Sequence, residues 1–573
     1  MLSKEKQLST LAFMIMTLFL FIILGGRLFY LQILKGDYYR GLSSQNHIRV
    51  VTKSAPRGLI SDRNGVVLAD SRPSFIVTAV PSEFDSTNTV QVASLLSITE
   101  ESLTSILDQA SSVPHRPVVL RASMSVEEVS SIAECIYRIP GVLIDVAPER
   151  RYHRPEDCCH IIGYVGLSND PESFRGEITG RTGIELSMNE ELRGSPGLHR
   201  EVVDAMGRVV EEYRGTGSDE PVPGTNVVIT IDSELQRTAL ELLEKTALPG
   251  AAVIIDYTTG EILCAASSPS FDPNMFSRGI SQDEWDALLQ NPANPLYCRA
   301  WTASYPPAST FKIVTAYWLI AEGLITENTM PAPCYGSLTL GDTEFGCWTA
   351  HGRLDVISSL ARSCDVFFYR TSQLGSLNGL AEYAELFGLG SQLSDVLTDE
   401  RSGLVPDSDY LNRTYGPDGW GLGNLLNISI GQGELLATPL QMAAMTGVIA
   451  SRGRMPLPRL VLQGEPRETF FPEEACDDTA FDIVTEGMLQ TVIARRGTLH
   501  SVFSDFPWDF WGKTGTAECS GEDHAIVVGF TREPEPVVIC VIIEHGGHGG
   551  SIAGPVARDI LLSYFEGSDR PDR

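Results

Sequence analysis

Pro306-Pro307-Ala308-Ser309-Thr310-Phe311-Lys312, running straight into the apolar stretch Ile313-Val314-Thr315-Ala316-Tyr317-Trp318-Leu319-Ile320, decides how this chain is read. Proline ahead of an apolar run marks a helix start. Ser309 and Lys312 are then three residues apart and share one face. A serine hydroxyl is a weak nucleophile until a base takes its proton. A lysine one turn away can take it when burial or neighbouring charge lowers its pKa. The helix N-terminus also favours negative charge developing beside Ser309.

Two segments downstream extend that chemistry. Arg362-Ser363-Cys364-Asp365 brings a second serine, and Trp511-Gly512-Lys513-Thr514-Gly515-Thr516-Ala517 brings a second lysine flanked by hydroxyls. Lysine with hydroxyls on an edge strand suits a substrate carboxylate. Each motif alone is commonplace: Ser-x-x-Lys occurs in surface helices, and Lys-Thr-Gly in turns. Their joint order and spacing carry the inference. Around them, Ala251 to Asp256 and Glu261 to Ala266 flank Tyr257-Thr258-Thr259-Gly260 as strand, turn, strand. Ala525 to Phe530 and Val537 to Glu544 read as late strands. Strands first, helices between and strands last predict one mainly antiparallel sheet whose two ends meet, flanked by helices.

Upstream, Pro221-Val222-Pro223-Gly224 punctuates the chain, and the main domain boundary is expected there. Arg57 to Ala69 reads as a strand, an Asn-Gly turn and a strand. Leu8 to Gly26 carries no charge over 19 residues and follows Lys4 and Lys6, as a membrane helix with a cytoplasmic start prefers. No small-x-small cleavage site ends the run, so an uncleaved anchor is expected. The predicted fold is therefore α+β and multidomain. Residues 1–7 form a cytoplasmic stub and 8–30 a single transmembrane helix. Residues 31–220 form a β-rich domain with an inserted lobe at about 75–150, residues 221–565 the main domain, and 566–573 a tail. A net charge of −30, from 43 Lys and Arg against 73 Asp and Glu, argues against nucleic acid as a partner.

The motifs resemble those of the class B penicillin-binding proteins nearly end to end, and the set is shared with β-lactamases. Ala308 stands where that family usually has glycine. Arg57-Gly58, Asp62-Arg63-Asn64-Gly65, Gly183-Ile184-Glu185, Arg151-Tyr152-His153-Arg154-Pro155 and Gly163-Tyr164-Val165-Gly166 resemble the motifs of the family's non-catalytic pedestal. Ser363-Cys364-Asp365, with aspartate in place of the usual asparagine, and Glu544-His545-Gly546-Gly547-His548-Gly549-Gly550 look like the elongation-type members. The resemblance implies a penicillin-binding transpeptidase domain on a pedestal, held in the bacterial inner membrane with its catalytic domain outside the cytoplasm. It implies that Ser309 attacks the stem peptide, Lys312 is its base and Ser363 relays a proton. Lys513, Thr514, Gly515 and Thr516 would hold the substrate carboxylate, with Asp365 beside them. No organic cofactor is implied. Peptidoglycan stem peptides, β-lactams, a SEDS-family glycosyltransferase of the RodA type and the scaffold MreC are the implied partners. A β-lactam receptor or assembly scaffold with weak catalysis, and a D,D-carboxypeptidase, are the competing readings.

Eleven cysteines cannot all pair within one chain. Cys334, Cys347, His351 and Cys364 follow a Cys-x12-Cys-x3-His-x12-Cys spacing, and three sulfurs with one imidazole suit closed tetrahedral zinc. A Cys334–Cys347 disulfide is the alternative in an oxidising compartment. His545 and His548 are expected to form a tight glycine-rich loop rather than a metal pair. Arg57, Asp62, Arg63, Arg181 and Glu185 are expected to form one structural ion-pair network.

Overall fold

The computed structural model describes residues 4–36, 48–110, 117–168, 177–203, 209–212, 219–394, 396–462, 464 and 468–568. The polar stretch between Lys35 and Ile48 falls largely outside them, as do most of the expected tail and the first three residues of the expected stub.

The N-terminal apolar run forms the helix Lys4–Phe29, continued by a π-helical turn at Tyr30–Leu34. The span Leu8–Leu34 has 27 residues and its side chains lie exposed. At 1.5 Å per residue it measures about 40 Å, enough to cross a bilayer core of about 30 Å. It is a candidate membrane span.

The next unit is built on the long strand Val67–Ala79, which pairs antiparallel with Val142–Tyr152 along its length and with Val118–Met124 at its far end. That far end carries its own small core of Val77, Val92, Leu96, Leu103, Leu120 and Ile136. The near end is joined to the downstream domain. There the short strand Ile60–Ser61 pairs parallel with Val227–Val228.

Buried charge fixes this unit. Glu185, fully buried, receives Arg57 Nε at 2.9 Å on one oxygen and Arg150 Nε at 2.6 Å on the other. The expected single network divides in two. Arg57 and Glu185 pair inside the pedestal with Arg150, a residue that the sequence motifs do not place in the network. Asp62 instead accepts from the Ser233 hydroxyl at 2.7 Å, and Arg63 pairs with Glu261 at 3.3 Å, so these two face the downstream domain. Arg181 donates to the Leu167 carbonyl. Replacing Glu185 with alanine would leave two guanidinium groups buried without their carboxylate, and is expected to cost about 3–5 kcal/mol. Chemical denaturation of the full chain measures this; a loss under about 1 kcal/mol would place the pair among weakly coupled surface ion pairs.

The main domain opens with the helix Ser233–Glu244, capped by Asp232, whose carboxylate accepts from the amides of Glu234 and Leu235. Its sheet has five strands: β1 (Gly250–Asp256), β2 (Ile262–Ser268), β3 (Trp511–Ala517), β4 (His524–Phe530) and β5 (Val537–Ile543). Their order is β2-β1-β5-β4-β3, antiparallel throughout. The first and last strands of the domain thus meet, Gly250 lying opposite Ile543. Both faces are covered, which is why these strands read as almost unbroken apolar runs. Alternate residues serve different cores. Val253, Ile255, Val528, Cys540 and Ile542 face the large helical core, while Ala252, Ile254, Val527, Ile539 and Val541 pack with the helices Ser233–Glu244 and Ala553–Ser568. β3 is left at the sheet edge beside the helical core, and the site forms there.

Candidate active site

Ala308–Phe311 forms a 3-10 turn that leads into the helix Lys312–Ala321. The apolar run anticipated a helix start, and the turn makes the pairing tighter. In 3-10 geometry residues i and i+3 eclipse, so Ser309 and Lys312 lie one above the other. Ala308, Thr310, Phe311 and Lys312 are buried, whereas Ser309 keeps partial access to solvent. Ala308 takes a φ of +51°. Its amide donates to the Gly431 carbonyl at 2.8 Å, and a Cβ on Gly431 would sit 2.1 Å from the Ala308 carbonyl oxygen. Gly431 therefore lets the chain close against the turn that carries the serine.

The two lysines meet at Ser363. Lys513 Nζ donates to Ser363 Oγ at 2.8 Å. Lys312 Nζ lies 3.3 Å from the same oxygen, and donates to the Ser363 carbonyl at 3.1 Å and to Asp365 Oδ1 at 2.6 Å. Both lysines are fully buried. Ser363 itself sits at φ +53°, a conformation that non-glycine residues adopt rarely and mostly where the surroundings enforce it. It precedes the helix Asp365–Ser372, whose first turn presents Asp365.

Two amines share this pocket with one carboxylate, so burying both charged leaves positive charge unbalanced. Burial, and then the charge of Lys312, hold Lys513 well below the usual lysine range, against the pull of Asp365. Burial raises the Asp365 carboxyl although Lys312 opposes it. Burial thus works against the charged form of Lys513 and of Asp365 alike. Asp365, expected among the substrate contacts, gives one oxygen to Lys312.

β3 places the remaining expected residues. Thr514 Oγ1 hydrogen-bonds Thr498 Oγ1 at 3.0 Å, and the Thr516 carbonyl accepts from Gln432 Nε2 at 3.0 Å. A Cβ on Gly515 would meet Thr310 Cγ2 at 3.0 Å and the Pro307 carbonyl oxygen at 3.1 Å. Glycine thus lets the strand lie directly against the turn that carries Ser309. Sequence alone assigns Gln432 and Thr498 no chemistry. The Gln432-Gly433-Glu434 loop reads in the sequence as support for the active site without chemistry of its own, and the Gln432 contact with Thr516 agrees with that.

The four candidate metal ligands also converge. The ligand atoms of Cys334, Cys347, His351 and Cys364 all lie within 4.8 Å of one another. Cys347 Sγ is 3.4 Å and Cys334 Sγ 3.8 Å from His351 Nδ1. The hairpin of Ser337–Leu340 and Thr343–Gly346 spans the gap between the first two cysteines. Cys334, Cys364 and His351 are buried, and His351 Nε2 has no hydrogen-bond partner. The Cys364 thiol and then His351 stabilise a thiolate on Cys347, whose pKa is strongly lowered, while that of Cys364 is raised. None of these cysteines is disulfide-bonded, so there is no Cys334–Cys347 bridge. The Asp365 amide donates to Cys347 Sγ at 3.3 Å, so the cluster abuts the second motif.

A partly exposed serine, two buried lysines that share a second serine, and an edge strand alongside define a serine-type acyl-transfer enzyme. The chain belongs to the penicillin-binding transpeptidases. Residues 250–562 match the penicillin binding protein transpeptidase domain and residues 52–229 the penicillin-binding protein dimerisation domain. The peptidoglycan D,D-transpeptidase MrdA of Acinetobacter baumannii is 31% identical over 96% of this chain and 87% of its own length. The penicillin-binding protein PBP2 of Helicobacter pylori, solved in complex with MreC, superposes with a TM-score of 0.82 at 26% identity, over 91% of this chain and 99% of that one. A chain from a peptidoglycan synthase complex that coordinates polymerization and crosslinking matches at 29% identity and a TM-score of 0.71, over 97% and 98% of the two chains.

Proposed function

We propose that this chain is a membrane-anchored serine D,D-transpeptidase that cross-links peptidoglycan stem peptides during cell elongation and is acylated by β-lactams. The convergence of Lys312 and Lys513 on Ser363, beside the accessible Ser309, carries the proposal. Ser309 Oγ attacks the carbonyl of the penultimate D-alanine and its proton passes to Lys312. The oxyanion lies between the backbone N–H groups of Ser309 and Thr516. Lys513, Thr514 and Thr516 face the terminal carboxylate. As the amide C–N bond breaks, the departing D-alanine nitrogen takes a proton through Ser363. The amine of a neighbouring stem peptide then attacks the acyl-enzyme and releases Ser309. A β-lactam enters by the same first step, but its leaving nitrogen stays tethered.

By likeness to MrdA and to the PBP2–MreC complex, the catalytic domain stands outside the inner membrane on its single helix, working with MreC and a RodA-type glycosyltransferase. The test is reconstitution with such a polymerase and lipid-linked substrate, followed by muropeptide analysis. Cross-linked dimers that disappear with penicillin are expected. Trimmed monomers without dimers would instead make the chain a D,D-carboxypeptidase, and neither product would make it a scaffold.

Zinc at Cys334, Cys347, His351 and Cys364 belongs to the same proposal. Three sulfurs and an imidazole at these separations suit the ion, and Cys364 would tie it to the backbone between Ser363 and Asp365. Protein purified without a histidine tag is expected to lose zinc from this site in Cys364→Ser. An unchanged metal content in that variant eliminates the site.

A further inference from the structure

A second group of soft ligands stands at the other side of β3. Cys519 lies in the turn between β3 and β4, His524 is the first residue of β4, and His545 lies just beyond β5. Their ligand-capable atoms all lie within 4.8 Å of one another. Cys519 Sγ is 3.6 Å from His545 Nδ1 and 3.9 Å from His524 Nδ1. Ligand atoms around tetrahedral zinc are separated by about 3.4–3.8 Å, from Zn–S near 2.3 Å and Zn–N near 2.0 Å. The three groups are thus already close to coordinating distances before any ion arrives.

Their surroundings favour a cation. Glu518, Glu522, Asp523 and Glu544 are the sequence neighbours of the three ligands. The carbonyl of Glu522 accepts the Cys519 thiol at 3.0 Å and lies 2.9 Å from His545 Nδ1. The proton on that thiol is one an incoming metal replaces. The supports are in place on every side. The ring of Tyr305 meets His524 edge-on at 5.5 Å, and its hydroxyl donates to Glu544 at 2.7 Å. Arg299 Nε donates to the same Glu544 oxygen at 3.0 Å. His545 stands at φ +54°, a conformation rare for a non-glycine residue. Its amide donates to His524 Nδ1 at 3.1 Å, and that bond, like the contact of His545 Nδ1 with the Glu522 carbonyl, gives way where those nitrogens take the ion. His548, the other histidine of this loop, is not in the group.

We propose that Cys519, His524 and His545 form a second transition-metal site, for zinc or a similarly thiophilic cation, at the rim of the catalytic cleft. One thiolate and two imidazoles leave a fourth position for water or an exogenous ligand. An ion here joins three separate pieces: the turn after the Lys513 strand, the start of β4 and the glycine-rich loop after β5. That loop runs against β3, since a Cβ on Gly549 would lie 2.4 Å from the Gly515 carbonyl oxygen. The site would therefore brace the edge that receives the substrate carboxylate. Its position between Tyr305 and β3 distinguishes it from the Cys364 cluster, with which it shares no residue.

The test uses the full chain in detergent, dialysed against zinc and then treated with iodoacetamide, with alkylation mapped by mass spectrometry. Zinc is expected to slow alkylation of Cys519 at least about tenfold, because the coordinated thiolate is no longer a free nucleophile. That protection is expected to vanish in His545→Ala and in His524→Ala. Cys519→Ser is expected to hold one zinc fewer per chain than the parent. Cys519 is partly exposed, so serine there disturbs little packing. Equal metal content in the two chains overturns the proposal, as does protection that survives both histidine substitutions, which would mean a lone thiol. The Cys334, Cys347, His351 and Cys364 set is intact in all three variants, so the outcome does not depend on that site.

Discussion

Ser309→Ala is expected to abolish covalent labelling by a fluorescent penicillin while leaving the fold unchanged. Ser309 is the partly exposed hydroxyl of its turn, three residues before the buried Lys312. Thr310, the neighbouring hydroxyl, is fully buried and donates to the Pro307 carbonyl at 2.6 Å. Ser363 is buried between two lysines and cannot replace it without moving both. Removing a hydroxyl from a partly exposed turn deletes no packing of consequence, so the melting temperature should move little. Without the nucleophile there is no acyl-enzyme at all, so labelling is expected to fall below detection rather than slow. Peptide mapping of the labelled parent chain provides the complement. An adduct on Ser363, or on any residue other than Ser309, overturns the assignment.

How much of the fold and site is legible in the sequence depends on the range of each interaction. Ser309 and Lys312 can be paired from spacing alone, because one helical turn fixes their geometry. The early and late strands of the main sheet can be read because burial on both faces leaves runs such as Val537–Ile543 almost wholly apolar. The contact of Lys513 with Ser363 spans 150 positions, and no local rule connects them. It comes from the resemblance of the motif set, and the structure supplies the distance. Arg150 reads only as a neighbour of the Arg151-Tyr152 motif, yet it is the second partner of Glu185. Its burial depends on tertiary packing that a strand pattern does not reveal. The Cys519, His524 and His545 group escapes the sequence for the same reason: its third member arrives from the far end of a hairpin. The Cys334 to Cys364 set is found because its spacing is regular.

Lys312→Arg is expected to lower the acylation rate by about two to four orders of magnitude, the usual worth of a positioned general base. Arginine retains the positive charge that Asp365 accepts at 2.6 Å, so the ion pair alone would survive. A guanidinium stays protonated at any working pH, however, and cannot take the proton of Ser309. Its planar, longer head also has to fit a position that is fully buried and already touches the Ser363 carbonyl and hydroxyl. Loss of activity through misfolding must therefore be separated from loss of the base. Lys312→Met provides the comparison, since it matches the length and removes both charge and base, leaving the Asp365 carboxyl, whose pKa burial already raises, without its amine. If Lys312 acts as the base, both variants lose acylation to a similar degree, although only one keeps the charge. Thermal melts and the binding of a non-covalent ligand at the cleft confirm that each remains folded. Near-parental acylation by a folded Lys312→Arg chain would move the role of base to Lys513, the other buried amine on Ser363, whose lowered pKa already equips it to accept a proton.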